Sequence, residues 1–199
     1  MAQENQQPAS IHPAVAFVRD RFPSEVIESS EIRGEATLVV KPESIVPVCL
    51  ALRDEPSLRM DMLSSITAVD WPERLPRFDV VYHLLSLPTG HNVRLKVRVG
   101  DDETPHPEVP SAILVWPAAN WFEREVWDLF GITFTGHPNM RRIELPDDWV
   151  GHPLRKDYPL TGFSLPEPQW GGQVPAPAPG EPKTGRRPLR VIRPDSTRK

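Results

Sequence analysis

The residues best equipped for chemistry gather between positions 121 and 159. Glu123-Arg124-Glu125 is followed by Asp128, and the carboxylates of Glu125 and Asp128, spaced i and i+3, would share a helix face as paired groups for acid–base work. The same stretch supports a plainer arrangement, an ion-pair lattice in which Arg124 reaches Asp128 one turn on. His137 and His152, with His83, His91 and His106 farther off, could be assembled into a zinc site. Neither HExxH nor paired CxxC accompanies them, and His137 and His152 each precede a proline, so turn residues that hydrogen-bond locally or to a partner are the simpler expectation. A third set is cationic: Arg94, Lys96 and Arg98 alternate along one segment and are joined in sequence by Arg141-Arg142 and Arg155-Lys156.

Charge balance decides how that third set is read. A net charge of -4 and a pI near 5.9 argue against a dedicated nucleic-acid binder, leaving a solvated sheet face or a protein-docking surface. Gly34, Gly90 and Gly100 are isolated, so no glycine-rich nucleotide loop exists. The single cysteine, Cys49, forms no internal disulfide and falls short of the roughly four thiolates an iron–sulfur cluster needs. No apolar run approaches the roughly 20 residues that cross a bilayer, and Met1 to Gln7 lacks the pattern of a secretory signal, so a soluble, cytosolic chain is expected.

The elements that must position these residues follow from periodicity. The spacing of Val15, Val18 and Phe22 predicts a helix over Ile11 to Phe22, stopped by Pro23. Val26 to Val40 reads as a hairpin about Gly34, and Ile45, Val48, Cys49 and Leu52 form one helical stripe after Lys41-Pro42. Leu58 to Val69 is extended, and Phe78 to Leu87 suits a strand buried on both faces. In the next strand Val93, Leu95, Val97 and Val99 point to the core and Arg94, Lys96 and Arg98 away, giving a cationic opposite face. Gly100 to Pro110 is a surface connection and Ile113 to Val115 a short strand. Pro117 opens a helix whose stripe is Phe122, Val126, Leu129 and Phe130, and Gly131 can end it.

This order predicts the α+β class: one core domain over residues 1–135, with packed helices and a mixed, largely antiparallel sheet. Residues 136–199 read as an irregular, extended segment ending in a Pro-rich tail, with Arg186, Arg187, Arg190, Arg193 and Arg198 near its end. The chain holds 25 prolines and has a mean hydropathy of -0.39, and such a tail buries too little apolar surface to order alone.

The stretch from Trp121 to Leu160 resembles the signature region of the 30 kDa subunit family of respiratory complex I, the NADH-quinone oxidoreductase. The matching residues are Glu123-Arg124-Glu125, Asp128-Leu129-Phe130-Gly131, Gly136-His137-Pro138, Arg141-Arg142-Ile143, Pro146, Trp149 and the run from Gly151 to Pro159. Glu144 departs from the pattern, which usually has an apolar residue there. The resemblance implies a non-catalytic structural subunit of the peripheral arm of a proton-translocating NADH:quinone oxidoreductase, on the cytoplasmic side of the cell membrane. Its partners would be the quinone-site subunit and the iron–sulfur subunits; NADH, FMN, iron–sulfur clusters and quinone would belong to partner subunits, with no cofactor or metal in this chain.

The residues expected to face those partners are Trp121, Glu123, Arg124, Glu125, Asp128, His137, Arg141, Arg142, Trp149, His152, Arg155, Lys156, Asp157 and Tyr158. Loss of Arg142 is expected to weaken assembly while the domain stays folded. An equivalent subunit of an NDH-type or hydrogenase relative of complex I would carry the same signature. A free-standing hydrolase would need Glu125, Asp128 and a histidine to converge in one cleft.

Overall fold

In a computed structural model, which describes residues 12–101 and 107–160, the chain opens with a short helix, α1 (Pro13–Arg21). His12 caps it, its Nδ1 accepting the Ala14 N–H at 3.3 Å, and Pro13 occupies the first turn, where no N–H is needed. Strands β1 (Val26–Ile32) and β2 (Glu35–Val40) form the hairpin expected about Gly34. A 3-10 turn at Pro42–Ser44 leads into α2 (Ile45–Asp54), which buries Ile45, Val48, Cys49 and Leu52, the stripe its spacing predicts.

Strands β3 (Met62–Asp70), β4 (Phe78–Leu85) and β5 (Asn92–Val99) complete a five-stranded sheet in the order β1-β2-β5-β4-β3. Within it only the β2–β5 pairing is parallel, so the chain is an α+β fold with a mixed, largely antiparallel sheet. Leu38, Tyr82, Leu84, Leu95 and Ile66 meet α1, α2 and the later helix α3 (Ala119–Phe130) in one continuous core. Full burial of each such side chain contributes roughly 1.5–3 kcal/mol. A second, two-stranded sheet pairs β6 (Glu108–Pro110) with β7 (Thr133–Thr135) in parallel. All the described residues belong to one compact unit.

Three local expectations are corrected. Ile113 to Val115 is a turn, closed by the N–H groups of Val115 and Trp116 on the Ala112 carbonyl; the short strand lies earlier, at Glu108–Pro110. Three residues carry too little alternation to announce a strand, and β6 is specified by β7 from a distant part of the chain. The outer face of the sheet is not simply cationic. Arg94 meets Glu35 at 2.9 Å, Arg98 meets Glu28 at 2.7 Å, and Lys96 lies 3.9 Å from Asp79; these carboxylates come from other strands, out of reach of local spacing. Finally, α3 turns a different face inward. Glu123, Arg124, Val126, Asp128 and Phe130 are buried, whereas Phe122 and Leu129 pack only partly against the core.

The N-terminal eleven residues, His106 and the tail from 161 onward lie outside the described residues. Among the described residues no helix is long and apolar enough to cross a membrane.

Candidate functional site

A helix ends with four carbonyls that lack partners in their own ladder. At the end of α3 each of the four is taken. The Gly131 N–H bonds to Trp127 O at 2.8 Å, possible because Gly131 turns left-handed at φ 73°. His152 Nδ1 lies 2.9 Å from Asp128 O and donates to it. The Leu154 N–H reaches Leu129 O at 3.1 Å, and Arg155 Nε donates to Phe130 O at 2.5 Å. The run Gly151-His152-Pro153-Leu154-Arg155 is therefore a strap across the helix end. It lies so close that a Cβ on residue 131 would stand 2.5 Å from the His152 ring and 2.7 Å from Arg155 Nη2.

Asp128 anchors the other half of this clamp. Its Oδ2 accepts the N–H groups of Ile143, Glu144 and Leu145, each at 3.0 Å, and its Oδ1 accepts Arg142 Nη1 at 2.5 Å. Burial would push this carboxyl up, but the three amides and the guanidinium outweigh it and hold Asp128 below the usual carboxylate range. Arg142 Nη2 goes on to Trp149 O at 2.9 Å. Arg124 donates to the carbonyls of Arg141 and Arg142 and stacks on the Trp121 ring at 5.1 Å. The i, i+4 pairing of Arg124 with Asp128 does not form, because each finds better-placed partners in residues 141–145. Glu144 contributes only its N–H to Asp128 and is otherwise exposed, so a charge there is compatible with the packing.

The strap is tied to the sheet as well. Arg77, just before β4, grips Asp70 at the end of β3 with two bonds of 2.7 Å and reaches Asp157 at 3.0 Å. The Lys156 N–H donates to the same Asp70 at 2.7 Å. Burial alone would raise the Asp70 carboxyl; Arg77 and this amide bring it below its ordinary value. The guanidinium carbons of Arg77 and Arg155 lie 5.0 and 5.3 Å from the centre of the Phe78 ring. Asp70, Arg77 and Phe78 escaped the sequence reading. The one signal in the sequence is a charge of each sign, Asp70 and Arg77, flanking the β3–β4 turn; only the structure shows that Asp70 is buried and Arg77 half-buried.

At the first turns of α3 the surroundings are different. Glu123 is fully buried; Ser111 Oγ donates to its Oε2 at 2.6 Å and the Ala112 N–H to its Oε1 at 2.7 Å. Burial dominates over these two bonds and pushes the carboxyl up to about 7. Glu125 points to solvent, so it and Asp128 do not pair and the acid–base arrangement is not assembled. The histidines are likewise apart: His137 sits 3.3 Å from Asn120 O and accepts the Asn139 N–H, His152 caps α3, and His91 lies against His12. Among the described residues no group of three or more His, Cys, Asp or Glu is placed to hold a metal ion.

The exposed parts of the signature form a second class. Trp121 is 60% exposed, and Glu125, Arg141, Lys156 and Asp157 also face solvent. Val150 and Leu154 add exposed apolar surface on the strap itself. Trp149 and Tyr158 are half-buried, and the Tyr158 hydroxyl donates to Val150 O at 3.2 Å.

Comparison with known proteins gives this arrangement its context. Residues 38–164 match the family described as the 30 kDa subunit of respiratory-chain NADH dehydrogenase. An NADH-quinone oxidoreductase subunit from Roseiflexus castenholzii is 49% identical over 146 residues, which is 73% of this chain and 82% of that protein. Its counterpart from Geotalea uraniireducens is 47% identical over 75% of this chain and 88% of its own length. Among solved structures, the trypsin-resistant fragment (1-134) of Nqo5 superposes with a TM-score of 0.52 at 29% identity, covering 63% of this chain and 98% of the fragment. A chain of the membrane-bound sulfane sulfur reductase, an archaeal respiratory membrane complex, superposes with a TM-score of 0.62 at 27% identity, over 73% of this chain and 84% of that one.

Proposed function

This chain belongs to the family of the 30 kDa subunit of respiratory-chain NADH dehydrogenase, and from that premise we propose that it is a structural subunit of the peripheral arm of a proton-translocating NADH:quinone oxidoreductase. It holds the quinone-site subunit and the iron–sulfur subunits together on the cytoplasmic side of the membrane. NADH oxidation, the flavin, the iron–sulfur clusters and quinone reduction belong to those partners. The observation that carries this reading is the clamp: the signature residues fix an irregular segment, 141–158, against α3 and the sheet through named bonds, and they leave an apolar and charged surface facing outward. Rigid presentation of an irregular segment suits docking, because little entropy is lost when a partner binds a surface already ordered.

The signature then divides by role. Arg124, Asp128, Arg142, His152 and Arg155 act on partners through the segment they hold, and Glu123 through the 111–112 connection beside α3. Trp121, Glu125, Arg141, Lys156 and Asp157 meet the partners directly, with His137, Trp149 and Tyr158 shaping the surface between. Arg142 is bound inward, so the expectation that its loss would spare the domain is replaced: the domain itself should weaken first. The test is a Trp121→Ser, Leu154→Ser double variant expressed in place of the natural chain. Recovery of the assembled complex should fall while the purified full-length chain melts as before, and undiminished assembly would overturn the docking assignment. The likeness to the sulfane sulfur reductase chain supports one other reading, the equivalent subunit of a related complex. NADH oxidation by the purified assembly separates the two.

A further inference from the structure

Glu123 is a carboxyl group surrounded by the apolar core. The two donors that reach it, the Ser111 hydroxyl and the Ala112 amide, are both neutral. Among the described residues no cation faces it from any element packed there. Its charge is felt by the Cys49 thiol of α2 and the Tyr82 phenol of β4, both fully buried and both pushed toward their protonated forms, chiefly by that burial. Arg53 of α2 reaches the same connection only at its outer end, donating to Val115 O, with its charge paired to Asp54. The buried side chains of β3 are Leu63, Ile66, Ala68 and, at the far end, Asp70, which Arg77 holds. On α3 itself, Arg124 and Asp128 are directed at residues 141–145. The Tyr82 hydroxyl is buried with no hydrogen-bond partner, so it leaves the charge on Glu123 uncompensated.

An ionised carboxylate with two neutral donors in such surroundings is far from compensated for its lost hydration. We propose that the folded chain carries Glu123 as the neutral carboxylic acid, so that folding takes up one proton from solvent at this side chain. When that proton leaves, the two donors still hold the carboxylate, but a charge without compensation for its lost hydration remains in the core and the fold loses stability. The geometry accommodates the acid: its O–H donates to Ser111 Oγ across the same 2.6 Å, and the Ala112 amide still donates to the other oxygen. The pH dependence has a definite sign. The folded value is about 7 against an ordinary 4.5, so the stabilisation is complete below pH 4.5 and is lost as pH rises through about 7. Over that window the folded-to-unfolded ratio should fall by roughly tenfold per pH unit on account of this one group. The inference concerns the chain itself and stands whatever assembly the chain joins.

The experiment is urea unfolding of the full chain from pH 5 to pH 8.5, natural sequence against Glu123→Gln. The amide imitates the neutral acid, offering its oxygen to Ala112 and its NH2 to Ser111, and carries no titration. The two unfolding constants should be similar at pH 5 and should separate progressively, with the variant favoured at least tenfold at pH 8. Parallel curves across the range would overturn the proposal. Should the variant not fold, glutamate labelled with 13C at the carboxyl in the natural chain supplies the answer. One resonance titrating near pH 7 supports the proposal, and none titrating above about pH 5 overturns it.

Discussion

Asp128 and Glu123 lie on the same helix and are both withdrawn from solvent, yet their surroundings could hardly differ more. Three amides and a guanidinium converge on Asp128, at the C-terminal end of α3, and keep it charged. One hydroxyl and one amide meet Glu123 near the other end and leave it inclined to hold its proton. Burial is common to both, so the difference lies in whether a cation and several N–H groups share the site. The Asp128 end organises an irregular segment that has no helix or strand of its own. The Glu123 end joins elements whose apolar packing already holds them.

If that contrast is right, removing the charge at the C-terminal end should do most harm. Asp128→Ala would leave the Arg142 guanidinium and three amides without an acceptor, and a loss of about 3–5 kcal/mol in urea unfolding is expected. A loss below about 1 kcal/mol would mean that water replaces the carboxylate freely. The same group sets an acid limb. The folded Asp128 titrates below its ordinary value of 3.8, so its contribution is present above that pH and disappears as pH falls through the lower folded value. Melting curves taken from pH 6 downward should show the limb in the natural chain and a weaker one in Asp128→Asn.

Next in size is the close approach of the strap. Gly131→Ala meets a left-handed backbone, worth about 1–2 kcal/mol, and also the His152 ring and Arg155 guanidinium, which must shift at a further cost of about 1–3 kcal/mol. Gly34, in the β1–β2 turn at φ 80°, has nothing within 4 Å of the added carbon. Gly34→Ala should therefore lose only the backbone part, and equal losses at the two positions would show that the strap is not pressed against the helix end. His152→Ala should cost about 1 kcal/mol, the worth of one cap bond. Thermal melting of the variant measures it, and no change would move the Asp128 carbonyl to another donor.

Much of the fold could be read in the sequence because single elements announced themselves. The alternation from Val93 to Val99, the stripe from Ile45 to Leu52, and glycines 34 and 131 each depend on neighbours within a few positions. The inward face of α3 could not be read that way. Apolar spacing favours Phe122 and Leu129, whereas Glu123 and Asp128 are buried because donors arrive from residues 111–112 and 142–145. Pairing across the sheet was hidden for the same reason: Glu28 and Glu35 are far in sequence from the cations they neutralise. The signature from Trp121 to Pro159 pointed to the family, but its residues did not reveal that half of them serve the chain's own packing.

The smallest expected effect on stability is also the one that separates the two classes most cleanly. Trp121 is mostly exposed, and its ring touches the fold chiefly by lying under the Arg124 guanidinium, a contact worth about 0.5–1 kcal/mol at an exposed site. Trp121→Ala should therefore shift the unfolding midpoint of the full chain barely at all. A large exposed aromatic is a common anchor at protein interfaces, where its truncation can cost about 2 kcal/mol or more of binding. The same variant should thus reduce recovery of the assembled complex far more than it reduces folding. The ratio of those two losses is the informative quantity: for Asp128→Ala it should be near one, since assembly fails because the strap is lost. For Trp121→Ala it should be large, and a ratio near one there would place Trp121 with the residues that hold the fold.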